Sequence, residues 1–573
     1  MGFFDRSETR VNELLNVDCY PITVAPGLSR LFLDFCAGEA RARAFYAFGA
    51  TAETPQVETP QAETPKLEIW STRPPVPAHW PELVSLLASQ NAGSGPQADA
   101  ALELLRQGAG SAVTGQQVGL FGGPLFTPFK AATAVARAQT ATAAGQPHAA
   151  IFWLASEDHD FAEINHVTFP ARRELRKLVY GAAPEAATPV GSIVLDDSIA
   201  PLIDQAWELL GSSDAMEALV AAYQPGRTFA QAFAEFYRKA FAAQGLLVLD
   251  AAGRDIHRMG APVLRAGLER ADELHAALLE RNRELEAAGY HAQVAVGAQN
   301  SLLFLIDEKT GARVALKRTP PSSQEPAGLW QAGRQDYSTA DLLGILDAQP
   351  ERISPAALLR PVFQDLLLST SLTIGGPAEI AYFGQSAVLF ERILGRMTPV
   401  QPRFSATLVE PAIGDLLRRH ELTLERVFQV GGEASGTDGA TALAQLLAAR
   451  AMPIEGKMKL AAAGTALDSE LSILLEWMRG QDEGLGKSAE TAASKILYQM
   501  SRLRTLAANF QLQREASLGR HAESIWQSLY PGGGLQERLH GAAYYFARYG
   551  FELAEELTAQ AANPCPGHTA LWL

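Results

Sequence analysis

Ser111-Ala112-Val113-Thr114, an apolar run that opens into a glycine-rich turn, is followed by the alanine-rich stretch Phe126 to Ala144 and then by Ala149-Ala150-Ile151-Phe152-Trp153-Leu154-Ala155. Two short apolar runs flanked by Gly and Pro predict buried strands. The stretch between them, with no Gly and no Pro after Pro128, predicts a crossover helix. Strand, helix, strand in about 45 residues is the spacing that parallel pairing requires. Leu246 to Asp250 adds a short apolar strand ending in a carboxylate, after a helix rich in Phe and Ala over Thr228 to Ala243. Val294-Ala295-Val296 and Leu302 to Ile306 predict further strands, the second turning through Asp307 to Gly311 into Ala312 to Leu316 as an antiparallel hairpin. The fold class expected is therefore α/β, a doubly wound parallel sheet with some antiparallel edge, although no GxGxxG fingerprint follows the first strand.

Beyond that unit, the 573 residues predict about three or four folding units. A hydrophobic content of 47% supports a large core, and 48 Lys and Arg against 63 Asp and Glu leave a net charge of −15. Such a chain lacks the electrostatic footprint of a general phosphate-backbone binder, so no nucleic-acid partner is expected. No run of about 18 apolar residues occurs, and the charged segment Met1 to Arg10 leads into no apolar stretch. These features predict no membrane span, no secretory signal and a cytoplasmic location. Cys19, Cys36 and Cys565 are odd in number and contain no CxxC pair, so neither a disulfide framework nor a thiolate zinc site is expected. Proline at every fifth position between Glu53 and Pro65 denies donors to helix or strand, so residues 51–66 read as an extended insertion in an N-terminal segment, 1–90. A core at 91–410, a helical arm at 411–530 and a C-terminal segment at 531–573 that returns to the core complete the expected organisation.

In the arm, Ala489, Ile496, Leu503 and Phe510 recur every seven residues, interleaved with Ala493, Met500 and Ala507. That 4-3 spacing puts both sets on one stripe of a helix. Leu467, Leu471, Leu474 and Met478 repeat the pattern upstream of Gly480 to Gly486, which predicts an antiparallel coiled-coil hairpin. The competing reading is a stripe that packs on the core. A projecting hairpin leaves a second seam, for which self-association is the simplest cover.

Two segments could carry chemistry. The first runs from Thr114, Gly115, Gln116 and Gln117 through Gly119, Gly122 and Gly123 to Thr127 and Lys130, where a strand gives way to a helix. Open parallel sheets bind ligands in that crevice. The glycines would let a ligand approach the backbone, Thr127 would cap the helix, and Lys130 would add a positive charge. No GKS or GKT closes the loop as a Walker A motif would require. The second segment is Glu157-Asp158-His159-Asp160-Phe161-Ala162-Glu163-Ile164-Asn165-His166, directly after the strongest strand. Carboxylates beside imidazoles suit acid/base work, with Asp158, His159, Asp160 and His166 as catalytic candidates and Glu163 and Asn165 as contacts to a polar substrate. Two alternatives stand beside this. If residues 159–166 were helical, His159, Glu163 and His166 would share one face as a possible metal triad, and a purely structural cap network would need no ligand at all.

Four separated motifs resemble one family. They are T-G-Q-Q-x-G-L-F-x-G-P-L-x-T at 114–127, W-x-A-S-E-D-H-D-x-x-E-I-N-H at 153–166, Ser354 with Leu359-Arg360-Pro361 and Gln364-Asp365, and Gly375-Gly376-Pro377-Ala378-Glu379-Ile380-Ala381-Tyr382-Phe383-Gly384-Gln385. Pro399-Val400-x-Pro402-Arg403 and His568 extend the likeness. In these residues the chain is similar to the cysteine-adding ligases of bacillithiol biosynthesis, the BshC family. Gly122 stands where the family often has Thr, and Ala378 where it often has Gly. The resemblance implies a Rossmann-like core related to nucleotidyltransferases, small connecting domains and a coiled-coil arm that forms a homodimer. It also implies condensation of the carboxyl of cysteine with the amine of glucosaminyl malate, the last step toward bacillithiol.

Forming an amide from a carboxylate and an amine requires an activated acid, which points to ATP or another nucleotide bound at the glycine-rich loop. Asp158 or His159 is then the expected base for the sugar ammonium. A dicarboxylate meeting a chain of this charge needs local cations, for which Lys130, Arg318, Arg360 and Arg403 are candidates. Glu379, Tyr382 and Gln385 are expected to contact substrate or nucleotide, with Glu379 suited to an amine or ribose hydroxyl. A non-catalytic nucleotide-binding or oligomeric scaffold is the reading from a different class.

Overall fold

A computed structural model describes residues 16–46, 76–171, 174–318, 329–433, 439–562 and 564–573. The segment Met1 to Arg10 and the proline-rich run at 51–66 lie outside the described residues. Fourteen elements carry the functional argument. In chain order they are β1 (Val17–Tyr20), β2 (Gly110–Gln116), α1 (Phe126–Ala143), β3 (His148–Leu154), β4 (Leu247–Asp250), α2 (Arg360–Leu368), β5 (Thr370–Gly375), α3 (Pro377–Leu394), β6 (Val400–Pro402), β7 (Ala406–Val409), α4 (Ile454–Gln481), α5 (Glu483–Arg514), α6 (Gln536–Leu539) and β8 (His568–Trp572).

The central sheet has the order β6-β5-β2-β3-β4, and every neighbouring pair is parallel. Chain direction across the sheet reverses between β2 and β5, because β3 and β4 build outward on one side and β5 and β6 on the other. A crevice opens at the carboxyl ends of the strands where such a reversal falls. Wholly parallel sheets are buried on both faces, and β3 is buried from end to end. Two hydrophobic clusters cover the two faces, one built on Phe129, Phe152 and Phe233, the other on Trp153, Leu249 and Phe363.

The hairpin read from Leu302 to Leu316 forms as an antiparallel pair, Asn300–Ile306 with Arg313–Arg318, inside a second sheet of five strands. Val294 to Val296 is not a strand. The Gln385 side chain takes over its backbone bonds, accepting from the Val294 N–H at 2.8 Å and donating to the Val294 carbonyl at 2.9 Å. Helix is likewise confined to Phe161–Ile164, capped by Asp160, and His166 begins a strand, so the single helical face required for a His159, Glu163, His166 metal triad does not exist.

The arm projects as a two-helix hairpin. Asp482 turns the chain between α4 and α5 and accepts from the Leu485 N–H at 2.9 Å. Ala493 and Met500 are buried in the seam between the helices, while Ile496, Leu503 and Phe510 stay exposed, and α4 buries no residue at all. The C-terminal segment comes back to the core through β8, which pairs parallel with β7 and antiparallel with β1.

That last pairing corrects the cysteine reading. Tyr20 lies opposite His568 in register, and Cys19 and Cys565 form a disulfide with Cα atoms 5.6 Å apart across 546 residues of sequence. No local spacing announces such a pair, because only the sheet brings the ends together. Cys36 is free, its thiol pushed up to about 12 by burial. Closing so long a loop stabilises by on the order of 5 kcal/mol in the chain-entropy picture. Reduction is therefore expected to lower the thermal unfolding midpoint of the parent protein, and Cys19→Ser is expected to unfold at that lower midpoint with or without reductant. Equal midpoints for parent and variant under oxidising conditions would show that the bond contributes nothing.

Candidate functional site

The crevice at the strand reversal is a cavity of about 290 Å³. Its floor is the carboxyl ends of the sheet, including Gly115 and Gln116 of β2, Trp153 of β3 and Ile374 of β5. Its walls include Gln117, Lys130, Asp158, Glu163, Arg360, Glu379, Tyr382, Arg403 and Arg538. The glycine-rich and acidic segments of the sequence therefore converge. Gln117 makes the join, donating through one amide nitrogen to Asp158 Oδ2 at 2.7 Å and to Glu163 Oε2 at 3.2 Å.

Each positive side chain of the interior carries a partner. Lys130, one turn into α1 and 2% exposed, puts its Nζ 2.5 Å from Glu379 Oε2, 2.5 Å from the Gly115 carbonyl and 3.0 Å from Gln116 Oε1. Burial lowers its pKa and the Glu379 carboxylate works against that. Glu379 stands in the first turn of α3 and also accepts from the Gly376 N–H at 2.7 Å, where the helix dipole favours a negative charge. Gly375 permits this closeness, since a side chain there would press on Phe383 at 3.1 Å. Arg360 opens α2 and hydrogen-bonds Tyr382. Burial opposes its charge, but Tyr382, Asp158 and Glu379 raise its pKa. Burial would lift the Asp158 carboxyl, yet Arg360, Gln117, the His159 N–H and Arg313 hold it below the usual carboxylate value. Asp158 is thus an ionised group facing a cationic wall.

The C-terminal segment completes that wall. Arg403 grips Glu537 of α6 through two contacts, at 2.9 and 2.5 Å, with both side chains almost fully buried. Burial would raise the Glu537 carboxyl, and Arg403, aided by His568 and the Ala406 N–H, more than reverses this. Arg538 follows immediately. It is exposed, it lines the cleft, and among the described residues it has no ion-pair partner. Sequence reasoning does not find Arg538 and Glu537, whose only signal is a charged pair shortly after the Gly532-Gly533-Gly534 break. It does not find Arg313 either. That residue hydrogen-bonds His159 Nδ1 at 3.1 Å and lies 3.9 Å from Asp158 Oδ1. Behind it Glu157 meets the buried His257 at 2.8 Å, anchoring the acidic segment to the helix Arg254–Glu269.

Several expected site residues stand elsewhere. Thr114 is fully buried and ties β2 to β5 through the Ile374 carbonyl at 3.0 Å. Gly119 and Gly123 turn away from the cleft: the Tyr223 hydroxyl donates to the Gly119 carbonyl at 2.6 Å and accepts from the Gly122 N–H at 2.9 Å. Tyr237 holds the Gly122 carbonyl at 2.7 Å, and a side chain at Gly122 would meet Phe236 at 2.8 Å. These glycines serve packing against an aromatic wall, and the segment does not form an open phosphate cradle. Thr127 is buried inside α1, whose N-cap is Leu125, so it caps nothing. His159 and Asp160 flank the cleft without lining it, and Asp160 is occupied as the cap of the short helix, accepting from the Glu163 N–H. His166 contacts the Ala162 carbonyl at 3.1 Å, and Asn165 donates to the Tyr180 carbonyl. Gln385 is fully buried on the Val294 backbone and Asn282. Arg318 pairs with Asp272 outside the cleft.

A parallel sheet reversing over a cationic crevice, with a two-helix arm attached, defines an α/β protein of the Rossmann-like class carrying a coiled-coil domain. Residues 15–404 match the family model described as Bacillithiol biosynthesis BshC, N-terminal Rossmann-like domain, and residues 406–572 match Bacillithiol biosynthesis BshC, C-terminal coiled-coil domain. The chain belongs to the BshC family. It is 39% identical over 97% of its length to a protein of Koribacter versatilis named "Putative cysteine ligase BshC", of which 99% is covered. It is 33% identical over 85% of its length to the protein of the same name in Solibacter usitatus, of which 88% is covered. No helix among the described residues is long and apolar enough to cross a membrane.

Removing one member of a buried ion pair strands the other, at a cost of about 3–5 kcal/mol. Glu537→Ala is expected to destabilise by that amount in chemical denaturation, with Arg403→Met/Glu537→Leu recovering most of it. The Glu537 carboxyl is held below its unfolded value, so its contribution is complete at neutral pH and is lost as pH falls below about 4.3 and through the depressed value. The destabilisation caused by Glu537→Ala should shrink accordingly in acid.

Proposed function

We propose that this chain is a C–N bond-forming ligase that joins the carboxyl of cysteine to the amine of glucosaminyl malate. The observation that carries the reading is the placement of an ionised Asp158 opposite Arg360, Arg403 and Arg538 in one cleft. A substrate bearing both an amine and carboxylates is matched by that polarity: its ammonium would meet Asp158 and its carboxylates the arginines. A carboxylate whose pKa is depressed is a strong anchor for an ammonium and a weak proton acceptor, so the ammonium would give its proton to water before attack, and the activating group on the cysteine carboxyl would leave as the amide forms. Asp158 therefore orients the amine, and Gln117 and the His159 N–H keep its two oxygens in place.

A nucleotide, when bound, would supply the activation that turns a carboxylate into an acyl donor. The glycine segment 119–123 is not available to it, and the groups able to meet its phosphates are Arg360, Arg403 and Arg538. Lys130 is held by Glu379 and the β2 carbonyl end, so it contributes field and not a direct contact. Purified protein given ATP, cysteine and glucosaminyl malate is expected to form bacillithiol, and Asp158→Asn is expected to lose about 10²-fold or more of kcat/KM. Arg538→Ala should raise KM about tenfold for a lost charged contact. No product under any nucleotide would reject the ligase and leave a non-catalytic scaffold.

The arm is proposed to join two copies. Ile496, Leu503 and Phe510 on α5 and Ile473, Leu474 and Trp477 on α4 are all exposed, and a second hairpin of the same sequence would cover them. Sedimentation of the parent protein should give a dimer, and Ile496→Glu/Leu503→Glu a monomer. A monomeric parent would refute the arrangement.

A further inference from the structure

Arg313 is fixed on every side. It is 7% exposed, its Nε donates to Ser354 Oγ at 3.0 Å, its Nη2 donates to the Pro355 carbonyl at 2.9 Å, and its central carbon lies 3.7 Å from the centroid of the Phe304 ring. The remaining arm, Nη1, reaches His159 Nδ1 at 3.1 Å. A guanidinium has five donors and no acceptor, so the atom facing it must present a lone pair. A neutral imidazole has one such nitrogen, and the other carries the proton. The contact therefore makes Nδ1 the acceptor and leaves the hydrogen on Nε2, which has no hydrogen-bond partner among the described residues. The ring leans on Phe304 at 5.5 Å between centroids, is about one-third exposed, and adjoins the cleft-lining Asp158.

We propose that Arg313 is a positioning residue that fixes the Nε2–H tautomer of His159, so that His159 donates a hydrogen bond to an anionic oxygen of bound ligand and does not take the proton of the amine. This rests on the amide-forming reading above and deepens it. The oxygen belongs to a carboxylate or a phosphoryl group, whose shared feature is a negative charge in need of a donor. In this arrangement Asp158 holds the amine, the arginines hold the anion, and His159 supplies one further donor at the edge of the same cleft. The acidic segment thus has a division of labour between neighbouring residues, imposed by a single guanidinium from the second sheet.

Full-length protein labelled with ¹⁵N in its histidine rings tests the assignment without turnover, the His159 signals being those lost in His159→Gln. The parent should show an unprotonated Nδ1 and a protonated Nε2, and Arg313→Met should gain a fraction of the other tautomer. Arg313→Lys, which keeps the charge without the fork, serves if the Met variant does not fold. A protonated Nδ1 in the parent, or an unchanged tautomer in the folded variant, would overturn the role of Arg313. Adding inorganic phosphate or malate separately should move the Nε2 signal, and the one that moves it identifies the oxygen; a signal moved by neither would overturn the donor role. In the ligase assay His159→Gln, which can donate but cannot take up a proton, should stay within about tenfold of the parent while His159→Ala loses about 10²–10³-fold. Equal loss in both would also overturn the donor role. An inactive parent with the tautomer as expected would sink the ligase and leave Arg313 in place, whereas an active parent with a protonated Nδ1 would do the reverse.

Discussion

A buried positive charge has to find a negative partner before it can be tolerated, and the cleft is organised by that requirement. Lys130 reaches Glu379, Arg360 and Arg313 face Asp158, and Arg403 is clamped by Glu537. Each pair also joins two elements distant in sequence: α1 to α3, the acidic segment to α2 and to the second sheet, and the loop after β6 to α6. The reversal of strand order between β2 and β5 opens the crevice, and these pairs give its walls a fixed geometry. Beside these paired cations stands Arg538, exposed and with no ion-pair partner among the described residues.

The two matched regions of the chain thereby build one cleft together. The Rossmann-like region contributes the strand ends and the acidic segment, but α6, from the coiled-coil region, places Arg538 in the same wall and Glu537 on Arg403. Glu537 is further held by Ser405 and the Ala406 N–H, and Ser405 in turn meets His568 at 2.9 Å. A polar chain therefore leads from the cleft to the sheet that joins the ends of the described chain.

Much of this architecture is legible in the residue pattern itself. The β2-α1-β3 unit follows from apolar runs and an unbroken alanine-rich stretch, and the seven-residue repeat foretells the hairpin arm. Both signals are local, and local patterns are what sequence periodicity records. The candidate site is legible where a residue follows a strand end, as with Gln117 and Asp158, or stands in the opening turns of the next helix, as with Lys130. It fails where a neighbour outside the motif decides orientation. Gln385 follows Glu379 and Tyr382 at three-residue steps, and each step of three falls about 60° short of a full turn, so the third residue has drifted about 120° and faces Val294 instead of the cleft. The glycines at 119–123 look like a ligand loop, but Tyr223, Tyr237 and Phe236 come from about a hundred residues later and claim them. Arg313 and Arg538 are invisible for the same reason: nothing nearby marks which loop they will approach.

The bond between Cys19 and Cys565 closes residues 19–565 into a covalent ring, from which the arm extends as a loop. Tension applied to the segments outside those two residues, such as the traction of an ATP-driven unfoldase on a tail, first loads β8 and the start of β1, which lie outside the ring, and is carried past them by sulfur. While the bond is intact, the parallel sheet and its cleft, which lie within the ring, are mechanically shielded; once it is reduced, a load that has peeled β1 from β8 passes on to them.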